Sequence, residues 1–479
     1  MRFSPLPSTR HVGGGTLTHA VLAAALVTAC ASSAMSAQTL PWRSLFNGTS
    51  LEGWYACNGT APFTVEQGAI VGRTVVKSPN SFLCSREQYG DFILEYEVLV
   101  TTNFNSGVQI RSVLDPAIKG GRVHGLQVEV DPSERAWTGG LYDESRRGWL
   151  FTLDGKPRAQ RAFKLGTWNR FRVEAIGTSV RTWVNDVPVA SIVDDLTVRG
   201  IIALQVHGIG DDAKRAGEAV QFRRLRILTQ QPAAARRPES ATGAALNYIP
   251  NTVSAQEARA GWKLLWDGRT TNGWRGARLS TFPANGWEIK DGGLSVLETE
   301  GKEAAAGGDI VTVNRYQNFE LIVEYNLTRG ANSGIKYFVD TELNQGEGSS
   351  IGAEFQILDN DVHPDAKLGV KGNRTNAGLY DLIAPQNVRF NGIGEWNRAR
   401  IVVQGRHVEH WLNGFKTVEY ERGTQMWRAL VDKSKYVAWP RFGEAPHGHI
   451  LLQDHGNRVS FRSIKIRELP AAPAAQEKP

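Results

Sequence analysis

Residues 91–110, DFILEYEVLVTTNFNSGVQI, and residues 318–337, NFELIVEYNLTRGANSGIKY, carry one pattern twice. In the second, Phe319, Leu321, Val323 and Tyr325 alternate with Glu320, Ile322, Glu324 and Asn326. Period-two alternation is the signature of a strand with one face in a core. Both stretches then break at small polar residues and resume at Asn105-Ser106-Gly107 and Asn332-Ser333-Gly334, ahead of a second apolar run. Strand, turn and strand, repeated at long range within one chain, describe a duplicated β-domain and not a solenoid.

The duplication extends to both sides. WRSLFNGTSLEGW (42–54) answers WKLLWDGRTTNGW (262–274), and FTVEQGAIV (63–71) answers WEIKDGGLS (287–295). GGLYD (139–143) answers AGLYD (377–381), and WNRFRVEAIGTSVRTWVND (168–186) answers WNRARIVVQGRHVEHWLNG (396–414). The tails also match: IIALQVHG (201–208) with FRRLRIL (222–228), and ILLQDHG (450–456) with FRSIKIREL (461–469). Within each copy, short apolar or alternating runs are separated by Gly, Asn and Asp, and Asn413-Gly414 suits a type I′ hairpin. No long helical periodicity competes. The expected fold class is all-β: two tandem jelly-roll β-sandwiches, at 40–229 and 259–469. Most of the recurring Trp54, Trp274, Trp168, Trp396, Trp183 and Trp411 are expected to pack in the cores. Residues 230–258 begin QQPAAARRPES and are expected to be a Pro/Ala-rich linker, and 470–479 a disordered tail.

The chain has 479 residues, 41% of them hydrophobic, with 14 Trp, 50 Gly and a net charge of +7. Its Arg residues are spread along the sequence with no basic block interleaved with aromatics, which argues against a nucleic-acid partner. Arg2 and Arg10 precede the apolar run Ala20–Ala29, which has the length of a signal h-region and is too short to span a bilayer. Residues 1–37 are therefore expected to be a signal peptide, cleaved after Ala37. Alternatively, Val27-Thr28-Ala29-Cys30 resembles a lipobox, with Cys30 as a lipid anchor. Either way the protein is expected to be exported by a bacterium, as a periplasmic protein or an outer-membrane lipoprotein. An oxidising compartment permits a disulfide between Cys57 and Cys84, and two buried thiols are the alternative. Oligomeric state is not legible.

The ordered motifs resemble the 3-keto-disaccharide hydrolase domain, formerly a domain of unknown function. They are LFNGTSLEGW and LLWDGRTTNGW, the Asn-Ser-Gly strand, Glu354-Phe-Gln-Ile-Leu-Asp359, the Gly-Leu-Tyr-Asp turn, the Trp-Asn-Arg strand, and the Leu-Gln-Asp-His-Gly close. The resemblance covers nearly all of both copies. It implies a concanavalin A-like sandwich and cleavage of glycosides whose C3 hydroxyl has become a ketone, with a carbohydrate as partner.

Residue parity locates candidate groups. On the strand GAEFQIL, Phe355 and Ile357 should face the core, placing Glu354 and Gln356 on the outer face, with Asp359, Asp361 and His363 following. Glu354 or His363 is a candidate base, Arg374 an enolate stabiliser, and His455 an acid or donor. Gln356, Asp359, Tyr380 and Gln453 are candidate substrate contacts. In the first copy the corresponding candidates are Gln127, Glu129, Asp131, Tyr142, Arg146, Arg147 and His207. There Glu and Gln have exchanged places, so a base would lie about 6–7 Å away along the strand. The first copy therefore either takes a shifted substrate or only binds. No cofactor is certain. The Asp/His cluster could hold a divalent cation, although its spacing matches no specific metal motif. Two enzyme mechanisms are open, elimination and two-carboxylate hydrolysis. The competing class is a lectin-like binder, which would present a flat aromatic platform without convergent acids.

Overall fold

The computed structural model describes residues 40–118, 120–239, 245–303, 307–343, 348–439 and 441–471. The signal peptide, Cys30 and the tail beyond Ala471 lie outside the described residues. Among those described, no helix is long and apolar enough to cross a membrane.

Each copy forms two packed sheets. In the first, a nine-stranded sheet includes Phe92–Val100, Asn169–Ile176, Ser179–Val184, Val187–Val193 and Ala219–Leu228. A seven-stranded sheet includes Ser106–Leu114, Val123–Val130, Leu141–Glu144 and Gly200–Val206. The second copy repeats this with an eight-stranded sheet built on Phe319–Leu327, Asn397–Gln404, His407–Leu412, Phe415–Glu421 and Val459–Glu468. Its partner is a five-stranded sheet containing Asn332–Asp340, Ile351–Leu358 and His449–Leu452. Adjacent strands connected by hairpins pair antiparallel, as at Asn413-Gly414, where φ is 49° and 86°. Both central turn residues lie in the left-handed region, as a type I′ turn requires.

Period two decides what is buried. Phe319, Leu321, Val323 and Tyr325 enter the core of the second sandwich. The opposite face of that strand is covered differently from a simple solvated face. Glu324 is held between Arg398 (2.7 Å) and Arg462 (2.8 Å), and Glu320 by Arg400 and Arg467. The first sandwich repeats the ladder with Glu95 and Glu174 against Arg172. Bidentate Arg–carboxylate pairing makes such polar burial tolerable. Not every repeated Trp is a core residue, because this outer ladder needs flat partners. Trp54, Trp183 and Trp274 are buried, whereas Trp168, Trp396 and Trp411 lie part-exposed under Arg223, Arg462 and Arg400.

Cys57 and Cys84 are joined across neighbouring strands, with Cα atoms 6.0 Å apart.

The described parts of the segment expected to be a spacer are laid down as structure. Arg237 N donates to Glu174, and Arg172 and Arg181 bond the carbonyls of Ala235 and Arg237. Leu246–Asn247 then adds a parallel strand beside Val187–Val193. Ala255–Arg259 follows as a helix with a Ser254/Glu257 capping box, and Glu257 meets Lys465 of the second sandwich. Arg398 closes the seam by donating to Asn247 O (2.7 Å) and stacking over Tyr248, whose hydroxyl reaches Leu150 O. Composition alone suggested a free linker; fixed polar partners on both sandwiches hold it.

Candidate active site

On Ile351–Leu358, Phe355 and Ile357 enter the core while Glu354 and Gln356 face outward. Loops fold over that outer face and enclose a cleft of about 320 Å³. It is lined by Glu303, Asn332, Glu354, Gln356, His363, Asp365, Tyr380, Lys435, Gln453 and His455. The cleft thus collects Glu354, Gln356, His363, Tyr380, Gln453 and His455 from positions that parity and motif had singled out.

Glu354 is the central acid. Its carboxylate is 3% exposed and lies opposite Lys336 on the neighbouring strand, Nζ to Oε2 3.7 Å. Lys336 is itself fixed by Ser349 and by Ser350 O. In the orientation that satisfies its amide, Gln356 donates to Ser333 O (3.0 Å) and Glu354 Oε1 (3.2 Å). Desolvation raises the Glu354 carboxyl above its ordinary range, while Lys336 and Lys435 pull it back down. The neighbouring Gly334 explains the Asn-Ser-Gly motif, since a Cβ there would lie 2.1 Å from Glu354 Oε1.

Lys435 comes from chain that the first copy lacks. The first sandwich runs directly from Val187–Val193 to Gly200–Val206, whereas the second inserts Gln425–Val431 and a 3₁₀ turn at Lys435–Ala438 before His449–Leu452. Lys435 Nζ sits 4.2 Å from the centre of the Tyr380 ring. Burial holds this amine below the usual lysine range, with Glu354 opposing the shift.

The imidazoles of His363 and His455 meet edge to face, 5.8 Å apart. His363 Nδ1 accepts the Asp365 N–H (3.2 Å), so the neutral ring carries its proton on Nε2. Burial, then His455, push its pKa down. His363 is therefore a donor and a poor base, which leaves Glu354 as the base candidate. His455 Nδ1 and Gln453 Oε1 are buried without a protein partner among the described residues. Asp454 points the other way, its carboxylate accepting Gly308 N (2.9 Å) and Gly456 N (3.0 Å).

Two expected site residues of the second copy have other duties. Arg374 does not line the cleft. Its guanidinium braces Asp365 (3.0 Å) and Asp381 (2.7 Å), and these in turn hold the Tyr380 hydroxyl and the Lys435 backbone. Lys435 is the cation that reaches the cleft instead. Asp359 accepts Gly330 N (2.7 Å) and Asp361 N (3.1 Å), one on each carboxylate oxygen, in shaping the loop. The Asp/His cluster is not among the groups of described residues whose donor atoms lie close enough together to hold an ion. Among the described residues, the His/acid group close enough to hold an ion is His407, Glu409 and Glu419 on the outer sheet, where Lys416 already bridges both carboxylates.

The first sandwich has a corresponding cleft of about 420 Å³, containing Asn105, Gln127, Glu129, Tyr142, Gln205 and His207. Arg146 and Arg147 are not in it. Both bind Asp143, and Arg147 also grips Asp194 through two 2.8 Å bonds. Asp131 lies behind the cleft, paired with Arg135 (2.9 Å). Arg135, Arg122 and Trp149 line it instead. Sequence parity missed Lys336, whose only signal was a lysine on the Gly334 face of an otherwise apolar strand. It also missed Lys435, which carried no signal.

A family model described as the 3-keto-alpha-glucoside-1,2-lyase-like domain matches residues 41–228 and again 261–467. A 3-keto-disaccharide hydrolase of Bacteroides thetaiotaomicron is 35% identical over 264 residues, spanning 49% of this chain and 90% of that protein. A crystal structure from Parabacteroides distasonis, described as a candidate glycosyl hydrolase, is 27% identical with a TM-score of 0.41, covering 46% of this chain and 100% of that one. A carbohydrate binding module of Bacillus subtilis is 18% identical with a TM-score of 0.27, covering 38% and 99%.

Proposed function

Because the chain belongs to the 3-keto-alpha-glucoside-1,2-lyase-like family through both of its sandwiches, we propose that it cleaves glycosides bearing a ketone at C3, and that the second cleft does so. The observation that carries this is a buried carboxylate, Glu354, paired with Lys336 and enclosed with Lys435 and two imidazoles.

A C3 ketone acidifies the C2 hydrogen. Glu354 takes that proton, and the electron pair forms an enolate with its charge on O3. Lys435 is the cation in the cleft that can meet this charge, in a site where desolvation strengthens the interaction. The enolate then re-forms the C3 ketone, a C1–C2 double bond develops, and the C1–oxygen bond breaks. The leaving oxygen accepts a hydrogen bond from His363 Nε2–H and takes a proton relayed from water through the imidazole pair, where His455 has an unpartnered nitrogen to receive it. Water added across the new double bond gives net hydrolysis. Tyr380, Gln356, Gln453 and Asn332 orient the ring.

Incubation with a 3-keto-glucoside in deuterated buffer tests this route. Deuterium at C2 or an unsaturated keto-sugar is expected. Cleavage with full retention of the C2 hydrogen and no unsaturated species would replace elimination by a two-carboxylate hydrolysis. Export, with or without an anchor at Cys30, is part of the same proposal. Fractionation of cells expressing the chain and its Cys30→Ser variant tests it, membrane retention that depends on Cys30 marking the anchor.

A further inference from the structure

We propose that the first cleft is a binding site for a neutral, unoxidised pyranoside that it does not cleave. The proposal builds on the cleavage chemistry given above for the second cleft, and it starts from the strand register. Gly107 faces Glu129 and Gln109 faces Gln127, just as Gly334 faces Gln356 and Lys336 faces Glu354. The cross-strand lysine–carboxylate pair of the second cleft is thus a pair of amides in the first, Gln109 to Gln127 at 2.8 Å. An amide pair cannot remove a C2 proton and brings no positive charge to an enolate. The short connection from Val193 to Gly200 carries no counterpart of Lys435.

What replaces this machinery suits hydroxyl groups. Glu129 accepts from Gln127 (2.7 Å) and Asn105 (3.2 Å) and has Asp131 and Glu144 as its charged neighbours. The two arginines at the cleft are already committed, Arg122 to Glu144 (3.1 Å) and Arg135 to Asp131 (2.9 Å). Among the described residues, both cleft arginines are thus charge-balanced by acids, which fits a neutral ligand better than an anionic one. Gln205 is fully buried at the cleft, and its Nε2 has no protein partner among the described residues, nor has the buried Arg122 Nε. Such donors are costly to bury unless something accepts from them. Trp149 supplies a flat wall, packed edge-to-face against Tyr142 (5.4 Å) and Trp137 (4.8 Å). A pyranose presents C–H bonds to such a wall and hydroxyls to the amides.

Calorimetric titration of the full chain with maltose, methyl α- and β-glucopyranoside and methyl β-galactopyranoside tests the assignment. At least one of these unoxidised sugars binds with a stoichiometry near one site per chain. Trp149→Ala and Gln205→Ala each weaken that binding about tenfold or more, with His207→Ala as a third variant should either fail to fold. Glu354→Gln and Lys435→Ala leave it within about twofold. The proposal is overturned if none of the four sugars binds, or if binding follows Glu354 and ignores Trp149, which places the sugar in the second cleft. It is equally overturned if Glu129→Gln, and not Glu354→Gln, stops release of product from a 3-keto-glucoside. Because the titration uses sugars without the ketone, a protein that binds them but cleaves nothing would refute the cleavage chemistry and leave this site standing.

Discussion

Lys336 and Glu354 face each other across adjacent strands with 3.7 Å between Nζ and Oε2, and at the same register in the other sandwich stand Gln109 and Gln127, 2.8 Å apart. One duplication has thus produced a charged pair and its neutral isostere on a shared framework. The pair keeps an acid ionisable in a buried place, where an isolated carboxylate would stay protonated.

Glu354→Gln should lower turnover of a 3-keto-glucoside by about a thousandfold or more, since it removes the base but preserves the shape. Lys435→Ala should cost about a hundredfold, mainly in kcat, as expected for a group that acts on charge developing in the transition state. Thermal melts of both variants near that of the parent would show that chemistry, not folding, was lost.

Gly334→Ala should reduce kcat by a similar order to the lysine variant while sparing the fold. The new methyl would lie 2.1 Å from Glu354 Oε1, so the carboxylate has to turn away. A variant with unchanged kcat would remove the Glu354 position from the mechanism.

The rate should rise with pH along an acid limb that lies above the ordinary glutamate value, because Glu354 works ionised and burial raises its pKa. Removing Lys435 takes away a charge that favours the ionised form, so in Lys435→Ala this limb should move to higher pH. A limb that stays in place, or moves down, would show that the lysine does not act on Glu354.

Stability should fall with pH through Glu129. Desolvation, opposed by Gln127 and Asn105 and aided by Asp131 and Glu144, pushes its carboxyl up to about 8. A folded pKa above the unfolded one means that the stabilisation is complete below the unfolded value, about 4.5, and lost as pH rises through 8. Glu129→Gln should remove that loss, gaining on the parent by a few kcal/mol between pH 5 and pH 9. Denaturant melts at the two pH values measure it.

Chelation should leave turnover unchanged. Asp359 is taken up by backbone N–H groups, and His407, Glu409 and Glu419 are bridged by Lys416 and lie on the outer sheet. A rate lost in EDTA and restored by a divalent ion would place a metal among the reacting groups.

Parity along strands carried the sequence reading well. Glu354 and Gln356 against Phe355 and Ile357, and Gln453 and His455 against Asp454, sit on the faces that alternation assigns. The exchange of Glu and Gln between copies was visible for the same reason, because strand register maps one residue onto one place. Arg374, Arg146, Arg147 and Asp359 were misassigned because a charge beside a Gly-rich turn looks alike whether it meets a sugar or another residue. Only the tertiary positions of Asp365, Asp381, Asp143 and Asp194 decide between them. Lys435 was invisible because an insertion has no counterpart to compare it with. The described parts of 230–258 looked featureless because their order comes from partners on both sandwiches and not from their own periodicity.

The parallel strand at Leu246–Asn247, with Arg398 bonded to the Asn247 carbonyl, has a consequence for ligands with more than one sugar. Two sites on a floppy tether sample many separations, and their joint grip depends on tether length. Here the seam sets one separation, so the molecule acts as a caliper. If both clefts take sugars as proposed, a glycan can engage the two together only when the spacing of its rings matches the separation that the seam sets.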